Sequence, residues 1–171
     1  MEYLDRRNYF GLNIDFEYVR EEDRTLYTQF LLDFAAALRR VGYSFSVALA
    51  PKISQEQSGL LYTAHDYGAV GSIADKVIIM TYEWGYTYGE PMAVAPIDKV
   101  RQVLDYAVME MPPEKILMGM ANYGYNWTLP YKKGTAARPL SLPEIPQTAY
   151  SQYADIRFDD TAQSPFFRYY D

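Results

Sequence analysis

The sequence predicts an α/β fold in which parallel strand–helix units form a partial (β/α)8 TIM barrel. Three observations predict it. Strand-like apolar runs alternate with amphipathic helices along the chain. The run at residues 76–82 is almost continuously apolar, as a strand covered on both faces should be. The length, 171 residues, falls short of the ~250 that a closed barrel needs. A small doubly wound sheet shares the first two features. It often holds its ligand at a glycine-rich first turn, however, and Tyr18-Val19-Arg20-Glu21 has no glycine. The barrel fragment is therefore favoured.

Each element has its own signal. In Gly11-Leu12-Asn13-Ile14-Asp15-Phe16-Glu17, strict alternation from Leu12 onward predicts a strand with Leu12, Ile14 and Phe16 on one face. A short turn at residues 18–22 leads into a helix whose start carries Glu21, Glu22 and Asp23, negative charge that suits the helix dipole. Leu26, Phe30, Phe34 and Leu38, with Leu31 and Ala35 beside them, form its expected apolar stripe, and Gly42 ends it. Residues 44–50 read as the second strand, with Phe45, Val47 and Leu49 large on one face. Residues 58–74 read as a short helix with loops, and residues 76–82 as the third strand. Residues 97–111 form the next helix, with Val100, Val103, Leu104, Ala107 and Val108 inward. Pro112-Pro113 stops it, and residues 116–120 form the fourth strand.

From Asn126 onward the texture changes. Five of the chain's ten prolines fall there, and no helical period exceeds about two turns. Short strand-like pieces at residues 156–158 and 166–170 predict a small irregular or antiparallel excursion, so residues 126–171 are expected to be an insertion within one domain spanning residues 1–171.

Composition narrows the function classes. The net charge is −6 and no basic run exceeds two residues, which speaks against nucleic acid or an anionic membrane as partner. There is no cysteine, so no thiolate metal site, and compartment stays undecided. No apolar run approaches the ~20 residues of a membrane span, and residues 1–7 lack a signal-peptide core. No metal motif, phosphate loop or cofactor signature is present. Asp15 and Glu17 stand out, because carboxylates facing inward on a strand of a parallel sheet are costly to bury unless they do chemistry.

Gly11-Leu12-Asn13-Ile14-Asp15-Phe16-Glu17 resembles the signature of family 18 glycoside hydrolases, the chitinase-like enzymes, whose fourth barrel strand reads Asp-Gly-x-Asp-x-Asp-x-Glu. Met80-Thr81-Tyr82 resembles the Met-x-Tyr of the family's sixth strand, and Gly119-Met120-Ala121-Asn122-Tyr123-Gly124 its seventh. Residues 80–98 and 122–130 are most similar to the bacterial spore-cortex-lytic N-acetylglucosaminidases. The resemblance covers nearly the whole chain and implies about strands 4 to 7 of the barrel, with a small α+β insertion after strand 7. It implies that the first three strands and the eighth, with its tryptophan floor, belong to a missing barrel half. The chain alone is then expected to show negligible turnover and to self-associate through its open strand edges.

The same resemblance implies chemistry. In this family the substrate's 2-acetamido oxygen, not a second carboxylate, attacks the anomeric carbon. Glu17 would be the acid and then the base for water. Asp15, about 7 Å away along the strand, would hold the acetamido N–H, and Tyr82 would donate to the acetamido oxygen. Burial beside Asp15 is expected to keep the acid protonated. Phe10 and Asn13 replace two aspartates of the signature, and Glu83 replaces the aspartate usual after the tyrosine. Asn13 can donate to Asp15 but not share a proton with it. Glu83 and Asn122 are candidate sugar contacts. Trp84, Tyr86 and Tyr88, and likewise Tyr123, Tyr125 and Trp127, are candidate stacking surfaces. His65 fits no metal or triad pattern and reads as structural, while Met80, Met118 and Met120 read as core filling.

Three functions are weighed. The leading one is a retaining β-N-acetylglucosaminidase acting on spore-cortex peptidoglycan, located by resemblance at the spore coat, cortex or cell wall. The second is a chitinase of the same family. The third is a non-catalytic sugar-binding barrel, against which Asp15, Glu17 and Tyr82 together speak.

Overall fold

A computed structural model describes residues 2–170. They divide into two compact units. The first holds residues up to Met80 together with Gln102–Gly119, and the second holds Thr81–Arg101 with the chain from Met120 onward.

The first unit is a four-stranded parallel sheet. Its strands β1 (Gly11–Ile14), β2 (Ser44–Leu49), β3 (Lys76–Ile79) and β4 (Ile116–Met118) lie in the order β1-β2-β3-β4. Each new strand adds beside the last, with no reversal of order, which is barrel winding; a doubly wound sheet reverses at a switch point. The helices are α1 (Glu2–Arg7), α2 (Arg24–Arg39), α3 (Tyr67–Ile73) and α4 (Ile97–Glu110), the last running from the second unit into the first.

Packing fixes these positions. Phe45, Val47, Leu49, Val77 and Ile79 are fully buried. The buried face of α2 is Tyr27, Leu31, Ala35 and Leu38, one position round from the expected stripe; Leu26 is 68% exposed and Phe30 38%. The small Ala35 at the centre of that face lets the helix lie close against the sheet. Phe30 and Phe34 instead extend an aromatic row from Phe16 to Phe45, with successive centroids 5.6–5.9 Å apart. At Gly11 a Cβ would be driven into the Ser44 carbonyl, so glycine is what lets β1 and β2 approach there. Asp75 ties the same N-terminal end of the sheet between β2 and β3, accepting from the Phe45 N–H at 2.8 Å and from Arg39 at 2.8 Å.

The second unit contains two antiparallel pairs, β5 (Tyr123–Asn126) with β6 (Arg138–Ser141) and β7 (Arg157–Asp159) with β8 (Ser164–Phe166), and helix α5 (Glu144–Ser151). Its loops interlock through main-chain bonds. Trp84 and Gly85 donate to Val94 and Ala93, Ala137 donates to Thr87, and Ile97 donates to Ala162.

Candidate active site

The expected first strand is shorter than its alternation suggests. β1 ends at Ile14, paired with Val47, and Asp15, Phe16 and Glu17 continue beyond the ladder at its C-terminal end. The expected burial of the two carboxylates is not met either. Both are exposed, because β1 is an edge strand whose one sheet neighbour, β2, stops pairing with it before they are reached.

What holds this segment is side-chain packing. Phe16 stacks on Phe30 (centroids 5.7 Å apart, planes at 8°) and on Tyr27 (6.2 Å, 24°). The Phe16 carbonyl lies 3.0 Å from His65 Nε2. Tyr18, just beyond, adopts a left-handed backbone with φ 55°, which turns the chain toward α2. Tyr27 is buried, and burial together with the charge of Asp15 pushes its phenol up to about 12. Asn13 faces Ser46 in the ladder, and its Oδ1 accepts from the Ser46 hydroxyl at 2.9 Å. With that oxygen committed, the amide NH2 is the end left to donate, whether to Asp15 or to a ligand.

Beneath the segment lies a buried polar cluster that sequence reasoning missed. His65 is 1% exposed and Lys52 2%. Lys52 Nζ donates to the carbonyls of His65 (3.2 Å) and Gln55 (3.4 Å), and burial followed by the charge of Arg24 lowers its pKa. Tyr67 donates to the Ala50 carbonyl at 2.6 Å and accepts from the Lys52 N–H at 3.0 Å. Asp66 caps α3 through the Ala69 N–H (3.0 Å) and pairs with Arg24 at 2.5 Å. Burial pushes its carboxyl up, but these partners outweigh burial and hold it below the usual range. The available signal was Lys52, a charge three residues past the end of an apolar strand, and the run His65-Asp66-Tyr67 opening a helix.

In the second unit the structure brings several candidates together. Glu83 has a left-handed backbone (φ 68°), and its Oε1 accepts from the hydroxyls of Tyr125 (3.0 Å) and Tyr123 (3.2 Å). Tyr82 meets Tyr123 edge-on, with centroids 6.3 Å apart. Tyr123, Tyr125 and Trp127 follow in contact, at 5.8 and 5.7 Å. Desolvation, then the Glu83 charge, pushes the Tyr123 phenol up, so its proton stays available for donation. The Trp127 indole donates to the Gly89 carbonyl at 3.0 Å, which commits its N–H to the loop and fixes the ring plane. Trp84 is half-buried, while Asn122, Tyr86 and Tyr88 are exposed. Among the described residues no three His, Asp or Glu side chains form a group that could hold a metal ion.

The model of glycosyl hydrolases family 18 matches residues 1–171. The chain is 49% identical over 172 positions to the cortical fragment-lytic enzyme of Bacillus subtilis (strain 168), covering all of this chain and 40% of that protein. The crystal structure of the Bacillus megaterium QM B1551 spore cortex-lytic enzyme SleL matches with a TM-score of 0.91 at 45% identity, over 99% of this chain and 39% of that one. A chitinase from Chromobacterium violaceum ATCC 12472 matches with a TM-score of 0.89 at 28% identity, over 98% of this chain and 52% of that one. The chain spans 37–40% of the length of the curated cortical fragment-lytic enzymes it matches. Its fold is that of a partial (β/α)8 barrel.

Proposed function

Because the chain belongs to family 18 of the glycosyl hydrolases, we propose that it carries catalytic residues of a retaining β-N-acetylglucosaminidase that cleaves spore-cortex peptidoglycan. The observation that carries this reading is the position of Asp15 and Glu17. They stand just past the C-terminal end of a parallel strand, on the face where barrels of this kind keep their chemistry. The 49% identity to a cortical fragment-lytic enzyme supports the substrate class.

In this reading the Glu17 carboxyl gives its proton to the glycosidic oxygen as the C1–O bond breaks. The substrate's acetamido oxygen supplies the electron pair to C1 and closes an oxazolinium ring. Asp15 accepts the acetamido N–H and balances the positive charge that develops. Tyr82 donates to the acetamido oxygen and orients it. Glu17, now a carboxylate, takes a proton from water; that water attacks C1, reopens the ring and leaves the β anomer. Glu83, Asn122 and Asn13 supply polar sugar contacts, and Trp84, Tyr123 and Trp127 flat ones.

The test compares cortex muropeptides with chitin oligomers, using the longest protein that carries this sequence. Faster release of N-acetylglucosamine ends from cortex fragments is expected, and preference for chitin oligomers would favour a chitinase instead. Glu17→Gln should lower kcat roughly 10²–10⁴-fold while sugar binding persists. Binding by wild type without turnover on either substrate would favour a sugar-binding protein.

A further inference from the structure

The chain's single histidine, His65, contacts two main-chain groups in the segments that follow β1 and β2. Its Nδ1 lies 2.9 Å from the Ala50 nitrogen, directly after β2, and its Nε2 lies 3.0 Å from the Phe16 oxygen, beyond β1. An amide N–H can only donate and a carbonyl can only accept. The ring is therefore neutral, with its proton on Nε2, accepting from Ala50 and donating to Phe16. The last rung between β1 and β2 is Ile14 with Val47. The imidazole thus replaces the rungs that the two strands no longer make.

The carbonyl it holds belongs to the peptide between Phe16 and Glu17. Rotation of that peptide plane would swing the Glu17 side chain. Stacking on Phe30 and Tyr27 holds the Phe16 ring, but Asp15 and Glu17 are exposed and outside the ladder, so the imidazole is the contact made to the carbonyl itself. The ring itself cannot drift. It is 1% exposed, its centroid lies 6.1 Å from that of Tyr27, its own carbonyl takes the Lys52 ammonium, and Asp66 next to it is fixed by Arg24 and the α3 N-terminus.

We infer that His65 is a positioning residue for the carboxylate segment: by donating from Nε2 to the Phe16 carbonyl it sets the direction in which Glu17 presents its acid. This rests on the reading of Glu17 as the acid. A misplacement of about 1 Å can cost roughly 10²-fold in rate, so the expected effect falls on kcat and leaves KM nearly unchanged.

The two contacts separate by substitution. His65→Asn puts an amide oxygen where Nδ1 stands and keeps the Ala50 bond, but it stops short of Phe16. His65→Gln puts an amide N–H where Nε2 stands and keeps the Phe16 bond. In the longest protein carrying this sequence, His65→Asn should lower kcat by about 10–100-fold with little change in KM. His65→Gln should recover most of that loss whatever its melting temperature. Asn at wild-type kcat would overturn the inference, as would equal kcat losses in the two variants that track their melting temperatures. Glu17→Gln run beside them separates the two readings. If it is as active as wild type, the acid assignment fails; if it is dead while Asn is normal, only the positioning role fails. Should either variant not fold, the nitrogen NMR spectrum of the wild-type histidine decides. A protonated Nε2 with bare Nδ1 is expected, and a proton on Nδ1 overturns the proposal.

Discussion

The Tyr125 hydroxyl donates to Glu83 Oε1 at 3.0 Å, so a carboxylate on a left-handed backbone is steered by a residue of β5. Tyr123 donates to the same oxygen at 3.2 Å. Two donors on one oxygen leave Oε2 as the atom to meet a sugar hydroxyl. If Glu83 contacts substrate, Tyr125→Phe should weaken binding of an N-acetylglucosamine oligomer about 2- to 10-fold, the worth of one net hydrogen bond. Titration calorimetry checks this, and affinity unchanged in Tyr125→Phe and in Tyr123→Phe would remove Glu83 from the sugar site.

Asp15→Asn should have two separable effects. If Asp15 balances the oxazolinium as proposed, losing its charge should lower kcat by roughly 10²-fold or more. It also removes the smaller of the two causes that push the Tyr27 phenol up to about 12, burial being the larger. Carbon NMR of the tyrosine Cζ atoms should therefore show the Tyr27 titration moving down in the variant. A titration that does not move would place Asp15 too far from Tyr27 for the carboxylate geometry described above.

Among the described residues the Tyr27 hydroxyl is buried with no hydrogen-bond partner. An unmet buried hydroxyl costs about 1–3 kcal/mol, so Tyr27→Phe should stabilise the fold. A rise of roughly 2–12 °C in Tm is expected for a domain of this size, read by calorimetry. A fall would mean that the hydroxyl has a partner in solution.

Stability should fall with pH below the ordinary histidine value of 6.5. Burial lowers the His65 pKa first; the Phe16 carbonyl opposes it, Lys52 adds to it and Asp15 opposes it. A depressed folded pKa means that the unfolded chain binds more protons in this window. The contribution is thus complete above 6.5 and lost as pH drops toward the folded value. Asp66, Asp75 and Glu144 are depressed too, but their losses are centred at and below their ordinary values of 3.8 and 4.5, under the window from pH 7 to 5. Urea melts between pH 7 and 5 should show the slope in wild type and lose most of it in His65→Gln.

Gly11→Ala should destabilise by about 1–3 kcal/mol, because the new methyl meets the Ser44 carbonyl, a backbone atom that cannot turn aside. Thermal melts check it, and a wild-type Tm would mean that β1 and β2 lie further apart than described.

The sequence by itself determined what depends on neighbours along the chain. The alternation of strand and helix, the end of α2 near Gly42, the span of α4 and the signature bearing Asp15 and Glu17 were all legible from periodicity and short motifs. The rotation of α2 was not, because Leu26, Phe30 and Phe34 make as good an apolar stripe as Tyr27, Leu31 and Ala35 until a small residue has to meet the sheet. The end of β1 at Ile14 was not either, since alternation continues to Glu17 and only the loss of pairing with β2 stops the strand. His65 read as an isolated structural histidine, because its partners, Ala50 and Phe16, are main-chain groups with no side-chain signature. The same holds for Glu83, whose donors, Tyr123 and Tyr125, are 40 and 42 residues away. Local pattern specified which elements form and which residues are candidates for the chemistry, whereas long-range hydrogen bonds and close packing decided how those residues are held. Such contacts pair groups that no sequence period connects.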